Sequence, residues 1–528
     1  MQKPISKIVI VGGGAAGWIT AGLLAAHHNA DKGQLAPSPK LDITLIESPD
    51  VATIGVGEGT WPSMRSTLEK IGINETQFLL HCDASFKQGS KFINWCTETT
   101  HTPLQSPASY LHPFSLPAGQ PQFDISNYWL PHHEQVAFAA AVSNQEAIAK
   151  ASLAPKLGST KQFGFINNYG YHLDAGKFSE LLREHCTGKL GVNHIRDHVD
   201  DIHLAELGDI ESVKCRGKGL INGDLFIDCS GVKSLLLGGV LNVPFICQKQ
   251  VLFNDCALAV QVPYDNDDTP IASNTHSTAL DNGWVWDIGL PTRRGVGHVY
   301  SSDHQSDDQA LEQLITYLTP SIGDKASDIN PRKLSIAPGY RASCWHKNCV
   351  AIGMASGFIE PLEASALALV EWLASQVAEQ LPANRQVMDT ISTRVNKQFE
   401  QHWQQIIEFL KLHYVLSERQ SDYWQDHRHE TSSSDELRHK LALWRHHVPS
   451  VADINHRNPL FPAASYQYVL YGMRPNYTAM PAQLKPSLKR QAQQLFNENQ
   501  QRTMQLAKAL PSNRDLLQQL ASHPFPLI

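Results

Sequence analysis

The hydrophobic positions change period along the chain. KIVIV at 7–11 is a short unbroken apolar run, the pattern of a strand buried on both faces, and Ala15–Ala26 is a stretch of small and apolar residues with the length of a helix. DITLIES at 42–48 predicts a second strand, after a polar Pro/Gly-containing insertion at about 31–41. Strand, helix and strand in this order predict a parallel, doubly wound α/β sheet. From 100 to about 127 the chain is Pro-rich and reads as an irregular, functional loop. Strand-like stretches return at 192–204, 212–229, 250–263 and 284–300, and NCVAIGMA at 348–355 predicts a strand running into a helix around 362–380. Beyond about 381 the period becomes helical, in QFEQHWQQIIEFLKLHYVL, ELRHKLALWRHH and LKRQAQQLFNENQQRTMQLAKAL, with HRHETSSSDE at 427–436 as a loop ending near a helix start. The predicted organisation is a sheet-bearing domain over 1–384, with inserted loops at about 96–160, and a helical module over 385–528.

One run is ambiguous by hydropathy alone. Residues 8–26 are apolar and about as long as a membrane span, which reads as a signal peptide or an anchor. The glycines decide otherwise. Gly12-x-Gly14-x-x-Gly17 follows a strand and opens a helix, the context of a dinucleotide fingerprint. Gly12 permits the tight turn, Gly14 lets the backbone approach a pyrophosphate, and Gly17 lets helix and strand pack closely. Ala15 and Ala16 carry the first free N–H groups of the helix, whose dipole favours an anion. Glu47, at the end of the second strand, is the acid for a ribose hydroxyl, and the insertion explains its distance from Gly17. LFIDCSG at 225–231 places Asp228 and a glycine at the end of a later strand, which favours FAD over NAD. There is no second glycine fingerprint, so reduced flavin is expected from a separate reductase.

Composition narrows the class. With 528 residues, 42% hydrophobic and 18% charged, the chain can build a large core and is no disordered polyampholyte. Its 44 basic and 51 acidic residues include no basic block, which argues against nucleic acid. The nine cysteines form no CxxC pair, as expected of a reduced, cytoplasmic protein. The histidine pairs at 27–28, 132–133 and 446–447 are adjacent, whereas a helical metal motif needs i, i+4, so no metal site is expected.

Further motifs carry a resemblance. GVGEGTWPSM at 55–64, ASFKQGSKFINW at 84–95, NGWVWDIGLPTRRGVGHVYSS at 282–302, NCVAIGMASGFIEPLEASAL at 348–367, and EFLKLHYVLSERQSDYW with SYQYVLYGM at 408–424 and 465–473 together resemble the flavin-dependent tryptophan halogenases. The resemblance implies a flavin-monooxygenase-type domain with a helical substrate-binding module. It also implies a reaction in two compartments, in which reduced FAD, oxygen and halide give hypohalous acid that crosses a tunnel to an aromatic substrate. Lys87 and Glu363 match the catalytic lysine and glutamate. Gly55, Val56 and Gly57 match the flavin strap, and Val199, Met354 and Leu367 match further flavin contacts. The backbone of Ser365 and Ala366 matches the halide site. His112, Phe114 and Tyr466 match the substrate side, and Trp284 and Trp286 the wall between compartments. A small aromatic substrate and no membrane partner are expected, with a homodimer as the oligomeric state considered. Competing readings are a monooxygenase or oxidase on the same scaffold and a silent flavin-binding protein.

The chain departs from that family's pattern in three places. Gly289 stands where Trp-x-Trp-x-Ile-Pro has its proline, and Ala364, Ser365 and Ala366 replace Ser-Thr-Gly after the glutamate. The altered halide loop points to a larger halide such as bromide. No Tyr-x-x-x-Glu pattern occurs near SYQYVLYGMRPNY, so a clamp for a free amino acid is missing and an indole, a phenol or a larger aromatic is expected.

Overall fold

The computed structural model describes residues 3–29, 40–51, 57–96, 109–454, 457–474, 476–480 and 484–527. Ile8, Val9, Ile10 and Val11 form the strand Lys7–Val11, which lies inside a six-stranded sheet and is buried on both faces. The strand order is Trp345–His346, Cys349–Ala351, Leu225–Asp228, Lys7–Val11, Asp42–Glu47 and Asn193–Arg196. All neighbours run parallel except the terminal hairpin of Trp345–His346 with Cys349–Ala351. Helix Ala15–His28 packs against Ala175–Gly188 and Ser365–Glu379, which is why its apolar residues continue around the helix instead of forming one stripe. The apolar run 8–26 is thus a strand, a glycine turn and a 14-residue helix, and among the described residues no helix is long and apolar enough to cross a membrane.

A second sheet of seven strands holds Arg332–Ser335, Cys256–Pro263, Arg293–Tyr300, Gly283–Gly289, Thr275–Leu280, Gly89–Ile93 and Ser109–Pro113 in that order. Glu58–Gly59, Gly170–Leu173 and Ser85–Lys87, in that order, form a small antiparallel sheet. The remaining three-stranded sheets are built from 199–222 and from strands in 245–358.

Several expected stretches resolve more finely. Residues 192–204 split into Asn193–Arg196, in the parallel sheet, and Val199–Leu204, which turns away to pair with Ile210–Cys215. Residues 284–300 are a hairpin closed by the Leu290 N–H on the Arg293 carbonyl (2.9 Å), not one strand. The 348–355 strand ends at Ala351, because Gly353 takes φ +74° and starts a turn of 3₁₀ helix. The Pro-rich stretch differs most: 97–108 lies outside the described residues, but Ser109–Pro113 is a strand, with all but its first residue buried. Its pattern is masked by polar Ser109 and His112 and by Pro113, which ends an edge strand where no ladder donor is needed.

Beyond residue 384 the chain is helical: Arg385–Leu416, Asp422–Arg428, Asp435–Trp444, Ala463–Met473, Pro486–Ala509 and Asn513–Gln519. Ser434 caps the third of these by accepting from the Leu437 N–H (3.1 Å). One apolar cluster runs from Ile8 and Ile10 through Phe92, Trp95 and Trp284 to Phe409, Leu410 and Tyr466, so the helices close over the second sheet.

Candidate active site

The glycine loop has the shape its motif requires. Gly12 has φ +121°, and a Cβ there would lie 2.1 Å from the Cys229 carbonyl oxygen; a Cβ on Gly17 would lie 2.0 Å from that of Gly12. Only glycine fits either position. Gly14 faces open space, with nothing within 4 Å of an added Cβ. The helix that follows has no side-chain cap and no acid in its first turn, so the N–H groups around Ala15 and Ala16 are available to an anion.

The other predicted contacts are spread over several elements. Glu47 lies across Gly13, where a Cβ would come 2.4 Å from its Cγ, and His194 Nε2 binds Oε2 at 2.8 Å. The Asp197 N–H on the Glu47 carbonyl (3.0 Å) brings half-buried Val199 close by. A Cβ on Gly353 would lie 2.8 Å from the Ala16 Cβ, so the turn Gly353–Ala355, with Met354 in it, packs against the start of the helix Ala15–His28. Leu367 is buried in the first turn of Ser365–Glu379. Gly55 and Val56 lie outside the described residues. Gly57, at φ +90°, abuts the side chains of Ile288 and Leu290. Asp228 is turned inward: it accepts from the N–H groups of Leu236 and Leu237 (both 2.9 Å), and from the Ser230 N–H (3.1 Å) and hydroxyl. Its carboxylate shapes the turn beside Gly12.

Lys87 ends the strand Ser85–Lys87 and is 0% exposed. Its Nζ has no hydrogen-bond partner among the described residues and lies 5.4 Å from the centre of the Phe114 ring. Burial pulls its pKa down to about 8, although the Glu363 carboxylate pulls it up. A Cβ on Gly59 would meet Lys87 Nζ at 3.0 Å and the Ala364 Cβ at 3.4 Å, so Lys87 and the glutamate turn flank the same glycine.

Glu363 sits in a strained turn. Glu363 and Ala364 have φ +66° and +55°, two consecutive non-glycine residues in the left-handed region, at a cost of about 1 kcal/mol each. The turn is held by the Ala364 N–H on the Pro361 carbonyl (3.0 Å) and by the Trp61 indole N–H on the Glu363 carbonyl (2.7 Å). On the side chain, Oε1 faces His112 Nδ1 at 2.8 Å and His413 Nε2 at 3.2 Å. Burial pushes the Glu363 pKa up, but His112 and His413 together hold it well below the usual carboxylate range. His112 is further walled by Phe409 and Tyr468, at ring distances of 5.7 and 6.1 Å. Tyr466 stands one ring further out, packed edge-on against Phe409 at 5.0 Å, with its hydroxyl buried.

The tryptophan strand Gly283–Gly289 packs beside the glutamate segment. Trp284 and Trp286 point to the same face, with ring centres 6.4 Å apart. Trp284 donates to Glu360 Oε2 at 2.6 Å, and Trp286 lies over Gly297, where a Cβ would come 2.1 Å from the ring. Gly289, in the place of the expected proline, accepts from the Ser85 hydroxyl at 2.5 Å, which ties this strand to the lysine strand. Ser365 and Ala366 open the helix Ser365–Glu379, which has no side-chain cap; Ser365 is buried and Ala366 is exposed.

Sequence reasoning missed His413, Trp61, Gly59, Phe409 and Phe461. Trp61 is in the strap motif and His413 in EFLKLHYVL, so both were within quoted segments, but only folding brings them to Glu363. Phe461 stacks on Phe409 at 3.9 Å and meets Trp61 edge-on at 5.0 Å, closing the aromatic wall.

Known proteins resemble the chain over nearly its whole length. Residues 7–493 match the family model described as tryptophan halogenase. The chain is 63% identical to the solved tryptophan halogenase of Shewanella frigidimarina NCIMB 400, with a TM-score of 0.96 and both chains covered completely. It is 32% identical to tryptophan 7-halogenase RebH of Lentzea aerocolonigenes, over 84% of this chain and 83% of that one. It is 30% identical to tryptophan 6-halogenase ThaL of Streptomyces albogriseolus, over 98% and 99%. With the glycine cradle, the buried lysine and the histidine-held glutamate in one fold, the chain belongs to the tryptophan halogenase family and is a flavin-dependent halogenase.

Proposed function

We propose that the chain uses reduced FAD, oxygen and chloride or bromide to make hypohalous acid, and halogenates an electron-rich aromatic such as an indole beside Lys87 and Glu363. The observation that carries this reading is the contrast between two buried lysines. Lys156 is paired with Glu75 at 3.0 Å, with both side chains buried, as a structural lysine must be. Lys87 is equally buried and has no hydrogen-bond partner among the described residues. An unpaired, desolvated amine is costly to keep and is suited to chemistry that needs a neutral nitrogen.

In this reading Gly12, Gly14, Ala15, Ala16 and Gly17 hold the FAD pyrophosphate and the free oxygen of Glu47 takes a ribose hydroxyl. Gly55, Val56, Gly57, Val199, Met354 and Leu367 line the flavin, and Asp228 holds the neighbouring turn. Reduced flavin with oxygen supplies the oxidation of halide, which rests on the N–H groups of Ser365 and Ala366. Trp284 and Trp286 keep that compartment apart from the aromatic one. Lys87 receives hypohalous acid, by hydrogen bond or as a haloamine. His112 and Phe114 sandwich the aromatic ring, with Tyr466 behind them. Glu363, firmly ionised, stabilises positive charge on the attacked ring and then takes its proton; a halogenated ring cation is acidic enough to protonate even a weakly basic carboxylate. A separate reductase supplies the reduced FAD. The absent Tyr-x-x-x-Glu pattern favours an indole or phenol over free tryptophan.

The test is turnover with a flavin reductase, NADH, FAD, oxygen, indole and bromide or chloride. Halogenated product is expected only with halide, and is expected to vanish in Lys87→Ala while flavin binding stays. Glu363→Gln is expected to lose roughly 10²–10⁴-fold in rate. Hydroxylated product formed without halide would overturn the reading.

A further inference from the structure

We propose that Glu360 is a positioning residue for Trp284, tying the indole to the turn that carries Glu363. The catalytic consequence rests on the reading of Trp284 above as part of the wall between compartments, whereas the seat of the indole stands on hydrogen-bond geometry alone.

Glu360 is 2% exposed, and three donors meet at its Oε2: the Trp284 indole N–H (2.6 Å), the Asn254 amide (2.7 Å) and the Tyr414 hydroxyl (2.5 Å). An indole N–H can only donate, so the direction of its bond is fixed whatever the protonation of its neighbours. Asn254 in turn accepts from the Tyr423 hydroxyl at 3.0 Å, so the helices Arg385–Leu416 and Asp422–Arg428 both brace the acceptor.

Other buried indoles are held differently. Trp95, Trp129, Trp345 and Trp424 donate to backbone carbonyls at 2.9 to 3.1 Å, and Trp444 donates to the half-buried Asp453. A tryptophan that only packs needs no more than such a carbonyl. Trp284 is 1% exposed and uses a carboxyl group that is itself held out of water, an arrangement that costs desolvation. The place of that carboxyl gives it a role. Glu360 stands three residues before Glu363, and consecutive residues of one helix reach the two: His413 Nε2 lies 3.2 Å from Glu363, and the Tyr414 hydroxyl 2.5 Å from Glu360. Trp284 is thereby fastened to the same turn and the same helix end as the glutamate. A side chain at 360 that accepts nothing strands a buried indole N–H and frees Trp284 to turn away.

The direct test is the indole ¹⁵N–¹H spectrum of the full chain labelled at tryptophan, with Trp284 assigned by its loss in Trp284→Phe. Its proton is expected downfield and slow to exchange. It is expected to keep that protection in Glu360→Gln, whose amide oxygen still accepts, and to lose it in Glu360→Leu, which accepts nothing. A fast-exchanging proton in the unmodified chain, or an unmoved resonance in Glu360→Leu, would overturn the proposal whether or not the protein halogenates anything. Glu360→Met, whose thioether accepts only weakly, repeats the test should the leucine variant fail to fold. In turnover, Glu360→Leu is expected to raise the flavin oxidised per halogenated product about tenfold, the effect of one lost hydrogen bond, with the KM for the aromatic little changed. Glu360→Gln is expected to stay near the unmodified ratio. Trp284→Phe is expected to raise the ratio as much as Glu360→Leu, and the double variant no further. Additive losses would mark a merely structural glutamate and overturn the positioning role. Unchanged coupling in Trp284→Phe would count against the wall reading, and the spectrum would still decide the seat.

Discussion

At the scale of single residues, the site spends stability on chemistry. Lys87 is fully buried, and burial lowers its pKa from 10.5 to about 8. A base whose folded pKa is depressed costs stability wherever the unfolded chain would be protonated. The cost is present in full below pH 8 and disappears as the pH rises from there to 10.5. Lys87→Met, which keeps the volume and removes the charge, is therefore expected to stabilise the protein by about 3 kcal/mol at pH 7. Denaturant titrations at pH 7 and pH 10.5 check this, with the gain confined to the lower pH. Lys87 and Glu363 were singled out by the family resemblance of their segments. His413 and Trp61 lie in segments that carry the same resemblance, but they reach Glu363 across 50 and 302 positions of sequence. No local pattern announces a hydrogen bond that only packing creates.

The elements show the same division. The strand pair Gly283–Gly289 and Arg293–Tyr300 carries Trp286 directly over Gly297, and a Cβ at Gly297 would lie 2.1 Å from the indole. Gly297→Ala is expected to push Trp286 off its seat, lowering stability by about 1–3 kcal/mol by overpacking. It is also expected to raise the flavin oxidised per halogenated product, which paired measurements of oxygen uptake and product would detect; unchanged coupling would remove the wall role of Trp286. Periodicity found the parallel strands and the C-terminal helices because their burial is continuous or one-sided. It missed Ser109–Pro113 because that strand turns His112 towards Glu363, and a strand carrying a buried polar side chain loses the alternation that would reveal it.

Over the whole molecule, distant pieces are locked by buried polar groups. Glu75 accepts from Lys156 Nζ (3.0 Å), from the hydroxyls of Tyr169 and Tyr171 (2.5 and 2.8 Å) and from the Phe163 N–H (2.5 Å). Lys156 also lies 4.0 Å above the Phe525 ring, and the Phe525 N–H reaches Thr76, so this network fastens the end of the chain to the helix Glu75–His81. Lys156→Ala strands a buried carboxylate and is expected to cost about 3–5 kcal/mol, read as a lower denaturation midpoint with earlier proteolysis of the segment after 510. By itself the sequence determined the opening strand–helix–strand, its glycine turn and the change to helices near residue 385, since each depends on neighbours a few residues apart. The resemblance in its motifs pointed to flavin-dependent halogenation. Tertiary structure alone decided that Lys87 is buried with no partner among the described residues, that two imidazoles grip Glu363, and that Trp61 holds its strained turn. Those facts depend on burial and on contacts between segments hundreds of residues apart, which no local pattern of residues can encode.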